Sequence, residues 1–272
     1  MWYHPGMRLL VLAALLASAA APTQAADPIA QARRLYNQGE YAAAERLARE
    51  AAEAAGTVNT ALVLLGRIQL ERYRQSADPA DLAEARRSLR SVDPAALDWR
   101  DRVELLIGLA EGLFLEDRFA AAAELFESVF ERSAILGMSA HERVLDWWAT
   151  ALDREAQRLP LADRRALYGR IEKRMRDELL AVPGSTAAGY WLAASARAAG
   201  DPDQAWHHAI AGWLRASLAE DRGAALRADL DRLMLQAIIP ERAAKVALGG
   251  NTGPAETSMR KEWEAFKAAW SK

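Results

Sequence analysis

Tyr41, Ala44, Ala48 and Ala51 stand three, four and three residues apart in the stretch NQGEYAAAERLAREA, residues 37–51, and so lie along one stripe of a helix. The same intervals return at Leu82, Ala85, Leu89 and Val92, at Phe119, Ala122, Phe126 and Val129, and at Pro202, Ala205, Ala209 and Gly212. Each of these helices follows another with its own small-residue step: Ala32 with Leu35, Gly66 with Gln69, Ala110 with Leu113, and Ala193 with Ala196. From Ala32 to Gly66 the offset is 34 residues; from Gly66 to Ala110 it is 44, the excess falling in RQSADPAD between the two helices of that pair. A period of that size predicts helix-pair repeats. The residue types fit, because close helix crossings need alanine or glycine where backbones approach and a larger apolar residue beside them.

This pattern resembles the tetratricopeptide repeat. Gly39 and Gly200 stand at that family's turn between helices, Asp117 replaces the glycine in the third pair, and Tyr41 and Phe119 match its aromatic just inside the second helix. The first, third and fifth pairs match well, and the second matches with its insertion. The fourth, from about Ala140 to Ala181, keeps Trp148, Ala149 and Leu152, but its turn RLPLAD carries a proline. Its second-helix stripe of Tyr168, Ile171 and Met175 is broken by Glu178. The resemblance covers most of Pro28 to Ala219. It implies an all-α fold, a right-handed α-solenoid of about five antiparallel helix pairs with C-terminal capping helices.

Beyond the fifth pair, DRGAALRADLDRLMLQAIIP predicts a helix that stops before Pro240, and ERAAKVALGG a short one ending at Gly249 and Gly250. GGNTGPAET is the best linker in the chain. After it, Met259, Trp263, Phe266 and Trp270 form a stripe with Arg260, Lys261 and Lys267 around it. A solenoid end needs covering, so this helix is expected to fold back as a cap, the alternative being a detachable arm that docks on a partner or a membrane surface. The expected divisions are 1–25, 26–219 for the repeats, 220–250 for additional helices, and 251–272 for linker and terminal amphipathic helix.

At the other end, Arg8 precedes the apolar run Leu9–Ala21 and then the small residues of PTQAAD. That is the order of a secretory signal peptide, with cleavage after Ala25, and the run is shorter than the ~20 residues that span a bilayer. The expected location is therefore periplasmic or otherwise extracytoplasmic, with no transmembrane span in the mature chain. The absence of cysteine removes disulfides, thiol chemistry and a lipid-modified N-terminal cysteine from consideration.

Composition is that of a folded chain, 51% hydrophobic and 26% charged. Loss of Arg8 with the signal takes Lys plus Arg from 35 to 34 against 37 acids, a net charge of −3. Nothing in that balance favours nucleic acid, which calls for a concentrated basic surface. The densest basic stretch, Arg164 to Arg176, is interleaved with Asp163 and Glu172 and reads as a solvated helix face.

Catalytic motifs are thin. His141-Glu142 begins like a zinc-binding H-E-x-x-H, but Leu145 takes the place of the second histidine. The neighbouring His207 and His208 point about 100° apart on a helix. GGNTGP lacks the Lys-Ser or Lys-Thr of a phosphate loop, and Gly184-Ser185 lacks the second glycine of a nucleophile elbow. Glu104 and Glu111 share a helix face, where acid pairs are usually solvated or salt-linked. The sequence thus points away from an enzyme and calls for no cofactor and no metal.

In tetratricopeptide repeat proteins the first helix of each pair lines a concave groove. Carried over by motif position, the groove residues are Arg33, Tyr36, Arg67, Glu104, Glu111, Phe114, Asp146, Asp153, Tyr190 and Arg197. Of the nine tryptophans, most suit core filling, while Trp147, Trp148 and Trp191 are candidate aromatic anchors for a partner. The resulting expectation is a non-catalytic scaffold or adaptor of the cell envelope that binds an unidentified protein or peptide segment in its groove. The alternative is a module for envelope polysaccharide that uses exposed tryptophans.

Overall fold

In the computed structural model, which describes residues 27–219 and 221–270, three helix ends close in the same way. Leu35, Leu113 and Ala196 each accept a hydrogen bond from the backbone N–H five residues on, at Glu40, Arg118 and Asp201, over 2.9–3.0 Å. The residue inside each turn is left-handed: Gly39 at φ 81°, Asp117 at 59° and Gly200 at 89°. This is the glycine-type helix end that satisfies orphan carbonyls, and aspartate is one of the few other residues that tolerates it. The expected signal segment, 1–25, lies outside the described residues.

Each turn joins two helices. In chain order the helices are α1 (Pro28–Asn37), α2 (Tyr41–Ala52), α3 (Val58–Ser76), α4 (Pro79–Arg90), α5 (Trp99–Leu115), α6 (Phe119–Ser128), the single turn α7 (Phe130–Ser133), α8 (Met138–Ala156), α9 (Leu161–Ala181), α10 (Thr186–Ala198), α11 (Pro202–Arg215), α12 (Ala224–Leu233), α13 (Ile239–Ala247) and α14 (Gly253–Trp270). No strand occurs among the described residues. Asp27, Asp78 and Asp201 cap α1, α4 and α11 with their carboxylates, each followed by a proline whose missing N–H costs nothing in a first turn.

Packing follows the pairing. α1 lies on α2, α3 on α4, α5 on α6, α8 on α9 and α10 on α11, and the first helices also touch in sequence, α1 to α3, α5, α8, α10 and α12. The repeated stripes form the contacts: Ala44, Ala48, Ala85, Ala122, Phe126, Ala205 and Ala209 have no exposed surface. In the second pair the extra length is mostly helix, since α3 runs on through Ser76 and turns at Ala77, which is left-handed at φ 56°.

Two local expectations change. The helix expected to stop before Pro240 passes through it. Residues Met234–Ile238 form a π-helical segment in which the Ile239 N–H reaches back to Met234 O, and α13 continues from there. Proline lacks an N–H and collides with the carbonyl four residues back, and the wider turn accommodates both. The linker is also shorter than GGNTGPAET, because α14 begins at Gly253 with Pro254 in its first turn.

α14 folds back onto α12 and α13. Trp263 is completely buried, edge-on to Trp213 with ring centroids 5.2 Å apart and to Trp206 at 6.3 Å, and stacked on Phe266 at 5.5 Å. Its indole N–H donates to Asp231 over 2.8 Å, and Lys267 reaches the same oxygen at 2.6 Å. Among the described residues no helix is long and apolar enough to cross a membrane.

Candidate functional site

The first helices carry all ten of the groove residues, and the structure gathers five of them at one end. Arg33 on α1 pairs with Asp101 and, over 3.4 Å, with Glu104 on α5. Arg67 on α3 donates to the Tyr36 hydroxyl at 3.2 Å while its guanidinium lies 4.9 Å from the centre of that ring. Tyr36, Arg67, Glu104 and Glu111 are all buried. Burial pushes the Tyr36 hydroxyl far above the usual phenol range and raises the Glu111 carboxyl, with the Arg67 charge opposing both.

These side chains, expected to line an open groove, are engaged with one another. Residues of α1 and α8 meet there, and Arg33, Tyr36, Arg67, Glu104 and Arg143 surround a cavity of only about 30 Å³, roughly the volume of one water. Polar groups at this end are therefore engaged with one another.

Phe114 and Trp147 form an aromatic ledge next to it, edge to face at 4.7 Å, with Arg74 lying 4.9 Å from the Trp147 ring centre. Trp147 keeps part of its surface exposed, whereas Trp148 is 1% exposed and packs against Phe130 inside the core. Trp191 is also buried, and its indole N–H donates to Asp146 over 2.8 Å. Arg197 turns away from the ledge to Glu241 on α13, with its Nε 2.8 Å from the carboxylate. Asp153 accepts from Tyr168 at 2.8 Å and from Gln157 at 2.7 Å.

Open clefts lie over α8, α10 and α12 and the loops before α10 and α12. Two adjoining clefts, of about 670 and 390 Å³, share Ser139, Glu142, Thr186 and Ala225 in their walls. Met138, Val182, Pro183 and Leu218 give the larger one an apolar side, and Met138 and Leu218 are exposed. Tyr190, Asp146 and Asp229 line the smaller one. Across the two clefts, among the described residues, stand the carboxylates of Glu142, Asp146, Asp221 and Asp229 against the single cation Arg143.

Some of these acids hold the frame. Glu142 on α8 accepts from the Thr186 hydroxyl and from the Ala187 N–H, at 3.0 and 2.8 Å, so it caps the start of α10. Asp221 accepts from Gly223 and Ala225 at the start of α12. Burial raises the Asp146 carboxyl despite the Trp191 hydrogen bond, and Asp229 and Glu142 push it further in the same direction. A site that crowds negative charge in this way favours a cation.

Sequence reasoning missed the cleft, because the contacts of Glu142 with Thr186 and Ala187 join residues more than forty positions apart. It also missed a buried line of three side chains: the Ser133 hydroxyl 2.6 Å from His141 Nδ1, and His141 Nε2 3.1 Å from Glu178. The residue types are those of a nucleophilic triad. Ser133, however, is fully enclosed and Arg174 also holds Glu178, at 3.3 Å, so the line acts as a bracket between α7, α8 and α9.

Among the described residues no group of three or more His, Cys, Asp or Glu side chains is arranged to hold a metal ion. In comparison with known proteins, no family model matches the chain, and neither a curated protein nor a solved structure gives a match.

Proposed function

We propose that this chain is a non-catalytic scaffold or adaptor of the cell envelope, a tetratricopeptide-like right-handed solenoid that binds a segment of a partner protein on its inner face. The observation that carries this reading is the pair of adjoining clefts over α8, α10 and α12, apolar on one side and rimmed by Glu142, Asp146 and Asp229. Stacked helix pairs spend their apolar surface on one another and leave such a face free for recognition. Export is proposed from Arg8 and the apolar run Leu9–Ala21 followed by small residues. The acidic rim selects an extended or helical segment that carries both lysine or arginine and apolar side chains.

The test replaces Ala225, an exposed residue common to both clefts, with tryptophan. The native chain and the Ala225→Trp variant are used side by side to capture proteins from an envelope extract, with circular dichroism verifying the fold. A protein held by the native chain and lost with the variant supports the reading, and its retention should weaken as salt screens the rim. Equal retention by both baits refutes the cleft as the binding surface.

A further inference from the structure

We propose a second, separate binding site: a pocket between α3, α4, α5 and α6 that takes a small amphiphile with a short hydrocarbon tail and a carboxylate head. It has a volume of about 260 Å³ and is walled by Leu70, Leu82, Leu89, Leu109, Leu113 and Leu125. Apolar cavities of about 150 Å³ already accept a benzene ring, so this one has room for an alkyl chain of several carbons.

Gly112 sets its depth. A Cβ built at this position meets nothing within 4 Å, so the missing side chain is one the pocket has space for. Glycine is the poorest helix former after proline, and at 112 it weakens α5 while leaving the cavity unfilled. The pocket opens to solvent on one side: Leu70 and Leu89 form its buried floor, and Leu82, Leu109, Leu113 and Leu125 are half-buried, leaving apolar surface that a hydrocarbon tail would cover.

The mouth is polar and carries more positive than negative charge. Arg86 lies across it in an ion pair with Glu116, with its Nε at 2.9 Å, and Arg90 stands at the rim with no carboxylate partner among the described residues. The Arg86–Glu116 pair is 51% and 30% exposed at its side chains, so it is screened and readily exchanged. A carboxylate at the mouth thus gains Arg90 and shares Arg86, two fork-shaped donors suited to it. Tail and head are recognised by different walls of one pocket. None of these residues lies in the clefts over α8, α10 and α12, so this proposal stands apart from the scaffold reading.

The probe is octanoate, titrated into the full chain by calorimetry and followed through leucine methyl NMR shifts. Saturable binding is expected, with shifts concentrated at Leu82, Leu109, Leu113 and Leu125. Gly112→Leu, which fills the cavity, should lose about tenfold or more in affinity. Its melting temperature should be no lower than native, and if this variant does not fold, Gly112→Ala should show a smaller loss in the same direction. Replacing Arg86 and Arg90 by glutamine should weaken octanoate several-fold and leave 1-octanol unchanged. Octanoate binding unaffected by filling position 112, or equal affinity for octanoate and 1-octanol in the native chain, would overturn the proposal.

Discussion

The imidazole of His141 and the carboxylate of Glu178 meet at 3.1 Å in the interior, joining α8 to α9 across 37 residues of chain. Glu178 interrupts the apolar stripe Tyr168, Ile171, Met175 in the sequence, yet it is only 5% exposed and sits on the same inward face. A buried acid at that position is tolerable because His141 and Arg174 both reach it.

His141→Leu is expected to destabilise by about 3 kcal/mol, the low end for breaking a buried pair because Arg174 remains. Changing His141 and Glu178 together to leucine should recover much of that loss, since an apolar pair leaves no stranded charge. Denaturant melts of both single variants and the double variant give the coupling directly.

The same pair predicts a pH dependence. The His141 hydrogen bond holds the Glu178 carboxyl below its ordinary value against the opposing effect of burial. Its contribution is therefore fully present above the unfolded glutamate pKa of about 4.3, and is lost as pH falls through the lower folded value. The stability gap between the native chain and Glu178→Gln should narrow as pH falls below about 4. A gap that stays constant into acid would show that Glu178 carries no such stabilisation.

One substitution should have opposite signs at two glycines. A Cβ at Gly212 would lie 3.0 Å from Leu230 and 3.2 Å from the Gly189 carbonyl oxygen, where α10 and α11 cross backbone to backbone. Alanine gains about 1 kcal/mol of helix propensity over glycine, while overpacking costs about 1–3 kcal/mol. Gly212→Ala should thus lower the denaturation midpoint, because a carbonyl at a packed crossing yields less than a side-chain tip. Gly112→Ala, with open space around it, should raise stability by about 0.5–1 kcal/mol and so raise the midpoint.

How far the fold was legible depends on the range of the forces involved. The stripes around Ala44, Ala85, Ala122 and Ala205 and the turns at Gly39 and Gly200 are local, set by periodicity and by a left-handed backbone, and the structure places each of them as the sequence implies. The packing of Tyr36 against Arg67, 31 residues apart, and of Arg33 against Glu104 depends on how α1, α3 and α5 are brought together, which no short stretch of sequence encodes. The passage of a helix through Pro240 likewise rests on a π-helical segment that has no residue signature of its own. Of the cleft, Tyr190 and Asp146 were named in the sequence only as groove positions, while Glu142, Thr186 and Ala225 emerge only when α8, α10 and α12 are brought side by side.

Trp263 should be the most costly single truncation in the terminal helix. It joins Trp206, Trp213 and Phe266 with no exposed surface, and its removal also leaves Asp231 with Lys267 alone. Trp263→Ala is expected to cost about 3–5 kcal/mol. Trp270→Ala, at a residue 58% exposed, should stay within about 0.5 kcal/mol. Similar melts for the two variants would mean that α14 does not cover the end of the fold.

Two arginines of the expected groove should separate just as clearly. Arg67 is buried, donating to the Tyr36 hydroxyl and lying against its ring, so Arg67→Ala removes both contacts, leaves a cavity and should cost about 3 kcal/mol. Arg197 meets Glu241 in an ion pair that leaves both side chains about two-fifths exposed, where screening limits the gain to about 1 kcal/mol or less. A binding assay on Arg67 variants therefore reports on folding before recognition, and only positions at the open cleft isolate the partner contact. If Arg67→Ala melts like Arg197→Ala, the N-terminal end of the inner face is open in solution, and its arginines return as candidates for holding the partner.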